Sequence, residues 1–411
     1  MLISKVSRAY NHVSESPQSV QAPVDIGLSV AEVSPSARHL AFLDAMRGIA
    51  VLGVILVHSG TATLTADSRL GAYTFAGQRG VELFYMVSAF TLFLARDAHQ
   101  GKEHFPVSNF FIRRFFRIAP LFYTAIALNL LFQAVHAYPP PAVLSYFDFA
   151  TAICFVNAWN PVAFNNVAIG GWSIAIESTF YFTLPYLYRK ISSLRDAAAL
   201  LVGSFLVCSV VTKIANHAMP AYAGYFANWF PVHFPIFALG IAAYFLWKSF
   251  GNQAENPNLR ATSLVLLTAS IMLVLGCIPI RDANLYANSI ALMIFVIGCS
   301  LHPWKLIVNP VTVYLGKISF SIYLLHFFVV LLAESLLHSF LLRHAALENH
   351  AVLTPFFFLF VLGASVPLCA LSWRYIEQPG IRLGRRWITT RELHAALPIS
   401  TVSMPGLIPP T

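Results

Sequence analysis

Ten stretches of this chain are apolar for roughly the length a helix needs to cross a bilayer. They fall at about 40–60, 78–96, 116–137, 168–188, 197–216, 231–249, 261–280, 286–302, 317–338 and 352–373. Hydrocarbon offers the backbone no hydrogen-bond partners, so segments of this kind satisfy their own N–H and C=O groups as helices. Composition leaves little alternative. The chain is 57% hydrophobic, 10% charged and has a mean hydropathy of +0.68, whereas a soluble domain carries about a quarter charged residues. A chain this poor in charge cannot cover a water-facing surface. The expected fold is an all-α polytopic membrane protein of about ten transmembrane helices.

Charge placement orients it. Twenty of the 26 Lys and Arg residues fall on one side of this topology and four (Arg69, Arg79, Arg281, Arg343) on the other; Arg47 and Lys213 lie within spans. Positive residues favour the cytoplasmic side, so both termini are expected there, in a multi-pass protein of the inner (cytoplasmic) membrane. The net charge of +9 is accounted for by these loops facing an anionic leaflet, and no nucleic-acid partner is implied. Residues 1–38 are polar, lack an apolar core of signal-peptide length and are expected to form a disordered cytoplasmic tail. Residues 386–411 fit no helical or strand pattern and are expected to be irregular. The piece "FDFATAICFVNAWN" (147–160) is too short to span and suits a surface or re-entrant helix. Five scattered cysteines form no CxxC or Cys/His cluster, so they read as small apolar residues and no metal site is expected.

An ionisable side chain at mid-membrane costs about 3 kcal/mol or more on insertion scales, which makes each one a functional candidate. The first span, "FLDAMRGIAVLGVILVHSG", holds three. Arg47 and His58 are eleven residues apart, three helical turns plus about 20°, so they share a face some 16 Å apart along the axis. Asp44 lies three residues before Arg47, where the two can pair. The second span opens "RGVELFYMVSAF" and the fourth "GGWSIAIESTFYF", both from the outer side, which puts Glu82 and Glu177 at a depth near His58. One imidazole and two carboxylates at one depth suit a base with an orienting partner. Buried acceptors bracing helices are the competing reading for each glutamate.

"FFIRRFFRIAP" puts Arg113, Arg114 and Arg117 at the mouth of the third span. Arg114 and Arg117 are one turn apart, which suits a forked grip on phosphate, although positive-inside topology alone also accounts for them. "LGKISFSIYLLHFF" carries Ser319, Ser321, Tyr323 and His326, with His326 about halfway across. A Walker loop, GxGxxG, HExxH and GxSxG are all absent, so nucleotide hydrolysis, zinc chemistry and a soluble-type hydrolase find no support.

Taken in order, these segments, with "SWRYIEQPG" at the end, resemble the acyltransferase family 3 membrane proteins, the acetylases of O-antigen, exopolysaccharide, Nod factor and macrolide sugars. The resemblance covers about 40–385 and implies a transmembrane acyltransferase domain over 39–385. It implies acyl-coenzyme A, usually acetyl-CoA, as co-substrate with no permanently bound cofactor, and transfer to a hydroxyl of a carbohydrate or glycolipid acceptor. The family's arginine-ten-residues-histidine motif falls on Arg47 and His58, and its basic patch on Arg114 and Arg117, with Arg113 beside them. Its tryptophan-serine…glutamate motif falls on Trp172, Ser173 and Glu177, and its serine-tyrosine…leucine-histidine motif on Ser319, Ser321, Tyr323 and His326. The usual Ser-Gly-Phe of the second span reads Ser88-Ala89-Phe90, which puts tight backbone packing there in doubt. Glu82 replaces a more usual aspartate, and Ser178 a common second glutamate. The chain is also expected to lack the esterase-like domain that some relatives carry after the last helix.

The expected layout sets the phosphates on Arg114, Arg117 and Arg47. His58 is then either general base or transient acyl carrier, oriented by Glu177 or Glu82, with Asp44, Trp172, Ser173, Ser319, Ser321, Tyr323 and His326 lining the passage. The rival class is a secondary transporter or flippase using the same intramembrane Arg, His and Glu. A scaffold with degenerate sites is the third.

Overall fold

Helices form at all ten apolar segments. The structure, a computed structural model, describes residues 35–63, 69–136, 144–250, 257–277, 285–341 and 350–396. The long helices are α1 (Pro35–Thr63), α2 (Gly80–His99), α3 (Pro106–His136), α4 (Gly171–Lys190), α5 (Leu194–Ala218), α6 (Phe230–Phe250), α7 (Pro257–Cys277), α8 (Leu285–Leu301), α9 (Ser319–Leu341) and α10 (His350–Ser372). A π-helical turn (Trp373–Glu377) joins α10 to α11 (Gln378–Ala396). No strand occurs among the described residues.

Six of these stretches are long and apolar enough to cross a membrane: Ala41–Thr63, Pro106–Val135, Leu194–Ala218, Pro220–Phe250, Ser319–Leu337 and Val352–Ala396. The chain is thus a multi-pass, all-helical membrane protein. The apolar stretches within α7 (Asn258–Leu273) and α8 (Leu285–Leu301) are shorter. α2 and α4 fall outside the six because their sequences are more polar: α2 carries Glu82, Arg96 and Asp97, and α4 carries Ser173, Glu177, Ser178 and Thr179. The apolar side chains of α5, by contrast, point outward. Val202, Leu206, Val207, Val210 and Ile214 are all exposed, as befits a helix whose solvent is lipid.

α1 is the hub. It packs on α2, α9, α10 and the short helix Pro310–Lys317. The last contact is backbone against backbone: a Cβ on Gly48 would lie 2.1 Å from the Thr312 carbonyl oxygen, and one on Gly316 would lie 1.8 Å from that of Asp44. Only hydrogen fits between such surfaces. α2 and α6 approach nearly as closely at Gly240, where a Cβ would meet the Met86 carbonyl oxygen at 2.3 Å and the Ala89 methyl at 2.9 Å. Ala89, which stands where the family favours glycine, is fully buried. The space for its methyl comes from the partner helix.

The short segment after 144 is α-helical over Tyr146–Ile153, closed at its start by a capping box of Ser145 and Asp148, with a 3-10 turn at Asn157–Trp159. The region expected to be irregular from 386 is instead helical through Ala396. α11 is polar and would not hold alone, but it docks along α3. Gly380 and Gly384 let its backbone approach Pro120 and Phe116. Glu392 accepts hydrogen bonds from the backbone N–H groups of His104 and Phe105 and from the Asn109 amide. These close the amino-terminal end of α3. The expected tail at 1–38 falls almost entirely outside the described residues, as does the part of the carboxyl-terminal tail from 397.

Candidate active site

A small cavity of about 90 Å³ lies between α1, α2, α3, α4 and α9. Arg47, Arg114, Arg117, Glu177, Ser173, Ser319 and Tyr323 all line it. These came from four separate sequence segments, and the helix packing brings them to one place.

The arginines are held from the sides. The Arg47 guanidinium donates to Asp44 (3.0 Å) and to the Thr91 hydroxyl (2.9 Å). Arg114 sits over the rings of Phe110 (5.7 Å) and Tyr181 (5.5 Å), a cation–π setting that fixes the head without neutralising it. Its buried Nε has no hydrogen-bond partner among the described residues. Arg117 lines the cavity beside it. Glu177 faces this cationic wall, accepting hydrogen bonds from Ser88 and from the Tyr181 hydroxyl at 2.6 Å. With Arg47 paired to Asp44, Arg114 and Arg117 against Glu177 still leave the cavity with an excess of positive charge, a setting fit for an anion.

Gly170 braces the side lined by Ser173 and Tyr323. Its φ of 74° is left-handed, and a Cβ there would lie 2.5 Å from the Phe327 ring, so glycine meets both demands of this turn. Its carbonyl oxygen lies 3.1 Å from the Ser173 hydroxyl and 3.2 Å from that of Tyr323, and the two hydroxyls are 2.6 Å apart. Tyr323 leads from the cavity to a histidine pair: its ring lies 6.3 Å from that of His326, one turn further along α9. Nε2 of His326 is 3.2 Å from Nδ1 of His58. Each Nδ1 also lies against the carbonyl oxygen four residues earlier, His58 on Val54 (2.7 Å) and His326 on Ile322 (2.9 Å). The Phe327 ring covers His58 at 4.6 Å.

Those partners assign the protons. A carbonyl can only accept, so Nδ1 of His326 carries the hydrogen and its Nε2 is a lone pair. That lone pair accepts from Nδ1–H of His58, which it shares with Val54. His58 therefore keeps Nε2 unprotonated, free to take a proton.

Other expected site residues sit elsewhere. Arg113 forks onto Glu103 at 2.7 and 3.2 Å instead of lining the cavity. Glu82 accepts from Arg79 at 2.8 Å. The Trp172 ring stacks on Phe164 (5.5 Å) and lies 5.8 Å from that of His233. Ser321 points away from the cavity, donating to Glu377 and lying 3.3 Å from Ser372. Neither glutamate bonds to His58; the pairing with His326 holds that ring instead. Ser88, Thr91 and Tyr181 are polar contributors that motif reading assigned no role, and Glu377, away from the cavity, takes up Ser321. Glu377 sits within "SWRYIEQPG", but only the π-helical turn makes its direction visible.

Fold and site together define a class: a multi-pass helical membrane protein with a buried arginine-rich cavity beside a paired histidine. The chain belongs to the acyltransferase 3 family, whose model, described as an acyltransferase domain, matches residues 40–374. It is similar to a Staphylococcus aureus (strain COL) protein provisionally named an O-acetyltransferase, with 25% identity over 376 residues. That match covers 83% of this chain and 57% of the relative. It is also similar to the O-acetyltransferase OatA of Staphylococcus aureus (strain NCTC 8325 / PS 47), at 23% over 327 residues, covering 73% of this chain and 52% of OatA. The chain thus spans little more than half the length of these relatives. No solved structure matches it.

Proposed function

We propose that the protein is a membrane O-acyltransferase that moves an acyl group, acetyl in the first instance, from acyl-CoA to a hydroxyl of a glycan or glycosylated small molecule. The observation that carries this reading is the convergence of Arg47, Arg114 and Arg117 on one cavity whose far wall leads through Tyr323 to the His58–His326 pair. A phosphate-bearing donor with a reactive end some way from its charge needs such a layout. The relatives' O-acetyltransferase names agree with it.

In this reading ten spans place both termini and the arginine mouth in the cytoplasm, and the histidine pair opens toward the outer side. The donor phosphates lie on Arg114 and Arg117, with Arg47 held ready by Asp44 and Thr91. Nε2 of His58 takes the proton from the acceptor hydroxyl as its oxygen attacks the thioester carbonyl. The C–S bond breaks, and the departing thiolate receives that proton from His58, so the step closes without an outside acid or base. The Val54 carbonyl and His326 together hold the reacting tautomer. Attack by Nε2 itself, giving a transient acyl-histidine, uses the same geometry.

Mass analysis of surface glycans from cells with and without the protein tests the reaction. Loss of an acetyl mass from a glycan in the deletion strain is expected. Unchanged glycans, with proton-coupled solute uptake by the purified protein, would favour a transporter.

A further inference from the structure

A second opening on the molecule has different chemistry. A groove of about 590 Å³ runs between α3, α9 and α10, with almost no polar surface in its lining. Its walls include Leu128, Leu131, Leu332 and Leu371, all exposed, and the three helices are among those able to cross a membrane. Water would find no hydrogen-bond partner there, and an unfilled gap of this size would forfeit dispersion contacts along every wall. Its shape and lining suit a hydrocarbon chain. One end carries charge. Tyr375 of the π-helical turn lines the groove, and the Arg374 guanidinium lies over that ring at 5.7 Å. Arg374 is exposed and has no carboxylate partner among the described residues.

We propose that this groove seats one hydrocarbon chain of an anionic phospholipid, with the lipid phosphate on Arg374. The chain lies behind the active site. Leu325, in the groove, immediately precedes His326 on α9, and Leu121 lies one turn beyond Arg117 on α3. The lipid therefore wedges the helix of the cavity arginines against the helix of the histidine pair. This holds whether or not the protein is an acyltransferase.

Native mass spectrometry of the full chain, offered phosphatidylglycerol or phosphatidylcholine at matched concentration, tests it. Wild type is expected to retain phosphatidylglycerol in preference. Arg374→Gln should cut that preference by roughly fivefold, the worth of one arginine near an anionic headgroup. Leu128→Trp with Leu371→Trp should displace the chain of either lipid, while Val210→Trp on the exposed face of α5 should leave retention unchanged. Equal retention of the two lipids by wild type, or undiminished retention by the groove-filling variant, would overturn the proposal. So would a polyprenyl phosphate that displaced phosphatidylglycerol at equal concentration. Arg374 is a surface residue, so its variant remains informative if the tryptophan pair fails to fold.

Discussion

Nδ1 of His58 lies 3.2 Å from Nε2 of His326, and both Nδ1 atoms rest on backbone carbonyl oxygens. Together with the Val54 carbonyl, the second imidazole does for the first what a carboxylate does in many base–orienter pairs: it helps to fix which nitrogen is free. Being neutral, it also spares a dry site a buried charge.

Replacing the orienter tests that role. His326→Phe keeps the ring but removes one of the two acceptors on Nδ1–H, leaving the Val54 carbonyl alone to orient His58. We expect kcat to fall by roughly ten- to a hundredfold with little change in the KM for acyl-CoA, because an orienter acts on the reacting state and not on donor binding. Steady-state kinetics checks this. A change confined to KM would assign His326 to the donor path.

Arg114 and Arg117 should behave in the opposite way. A hydrogen bond to a charged group contributes about 1.5–3 kcal/mol, so Arg117→Gln should weaken donor binding by roughly ten- to a hundredfold. Lysine should not restore it, since an ammonium lacks the fork. Arg113 is engaged by Glu103, and Arg113→Gln should leave donor affinity nearly intact. Isothermal titration with acetyl-CoA separates the three.

Backbone contact between α1 and the Pro310–Lys317 helix gives a stability prediction. In Gly316→Ala the new methyl would lie 1.8 Å from the Asp44 carbonyl oxygen, and overpacking of this kind costs about 1–3 kcal/mol or more. A lowered thermal midpoint in detergent is expected. Gly363→Ala, where nothing lies within 4 Å, should be neutral or slightly stabilising.

On the short helix Tyr146–Ile153, the Asp148 carboxylate is held below its ordinary pKa by the Ser145 hydroxyl, with the Ser145 N–H and the Asn160 amide adding to it. A depressed folded-state value means this contribution is present above the ordinary carboxylate pKa and is lost as pH falls through the lowered one. Asp148→Asn should flatten the decline of the thermal midpoint below about pH 4. Parallel curves for wild type and variant would count against it.

Much of this was legible in the sequence because the bilayer simplifies the code. Apolar length marks the helices, and ionisable residues within them mark the site, so Arg47, Arg114, Arg117 and Glu177 could be named before their meeting was seen. What spacing cannot give is which helix faces which. The His58–His326 contact joins residues 268 apart, and the assignment of an orienting glutamate fell to that fact. Trp172 and Ser321 share motifs with true cavity residues, but a helix presents successive residues 100° apart, and these two face other neighbours. α11 was missed because its stability comes from docking on α3, which no periodicity reports.

In the proposed reaction His58 carries the proton, or the acyl group, between donor and acceptor. The most direct measurement is transfer of label from radiolabelled acetyl-CoA to membrane glycans by purified wild type and His58→Ala, with acetyl-CoA affinity measured alongside. Transfer should fall by about 10²- to 10⁴-fold, the usual loss with a general base, while donor affinity stays near wild type. Transfer that survived His58→Ala at the wild-type rate would contradict the account.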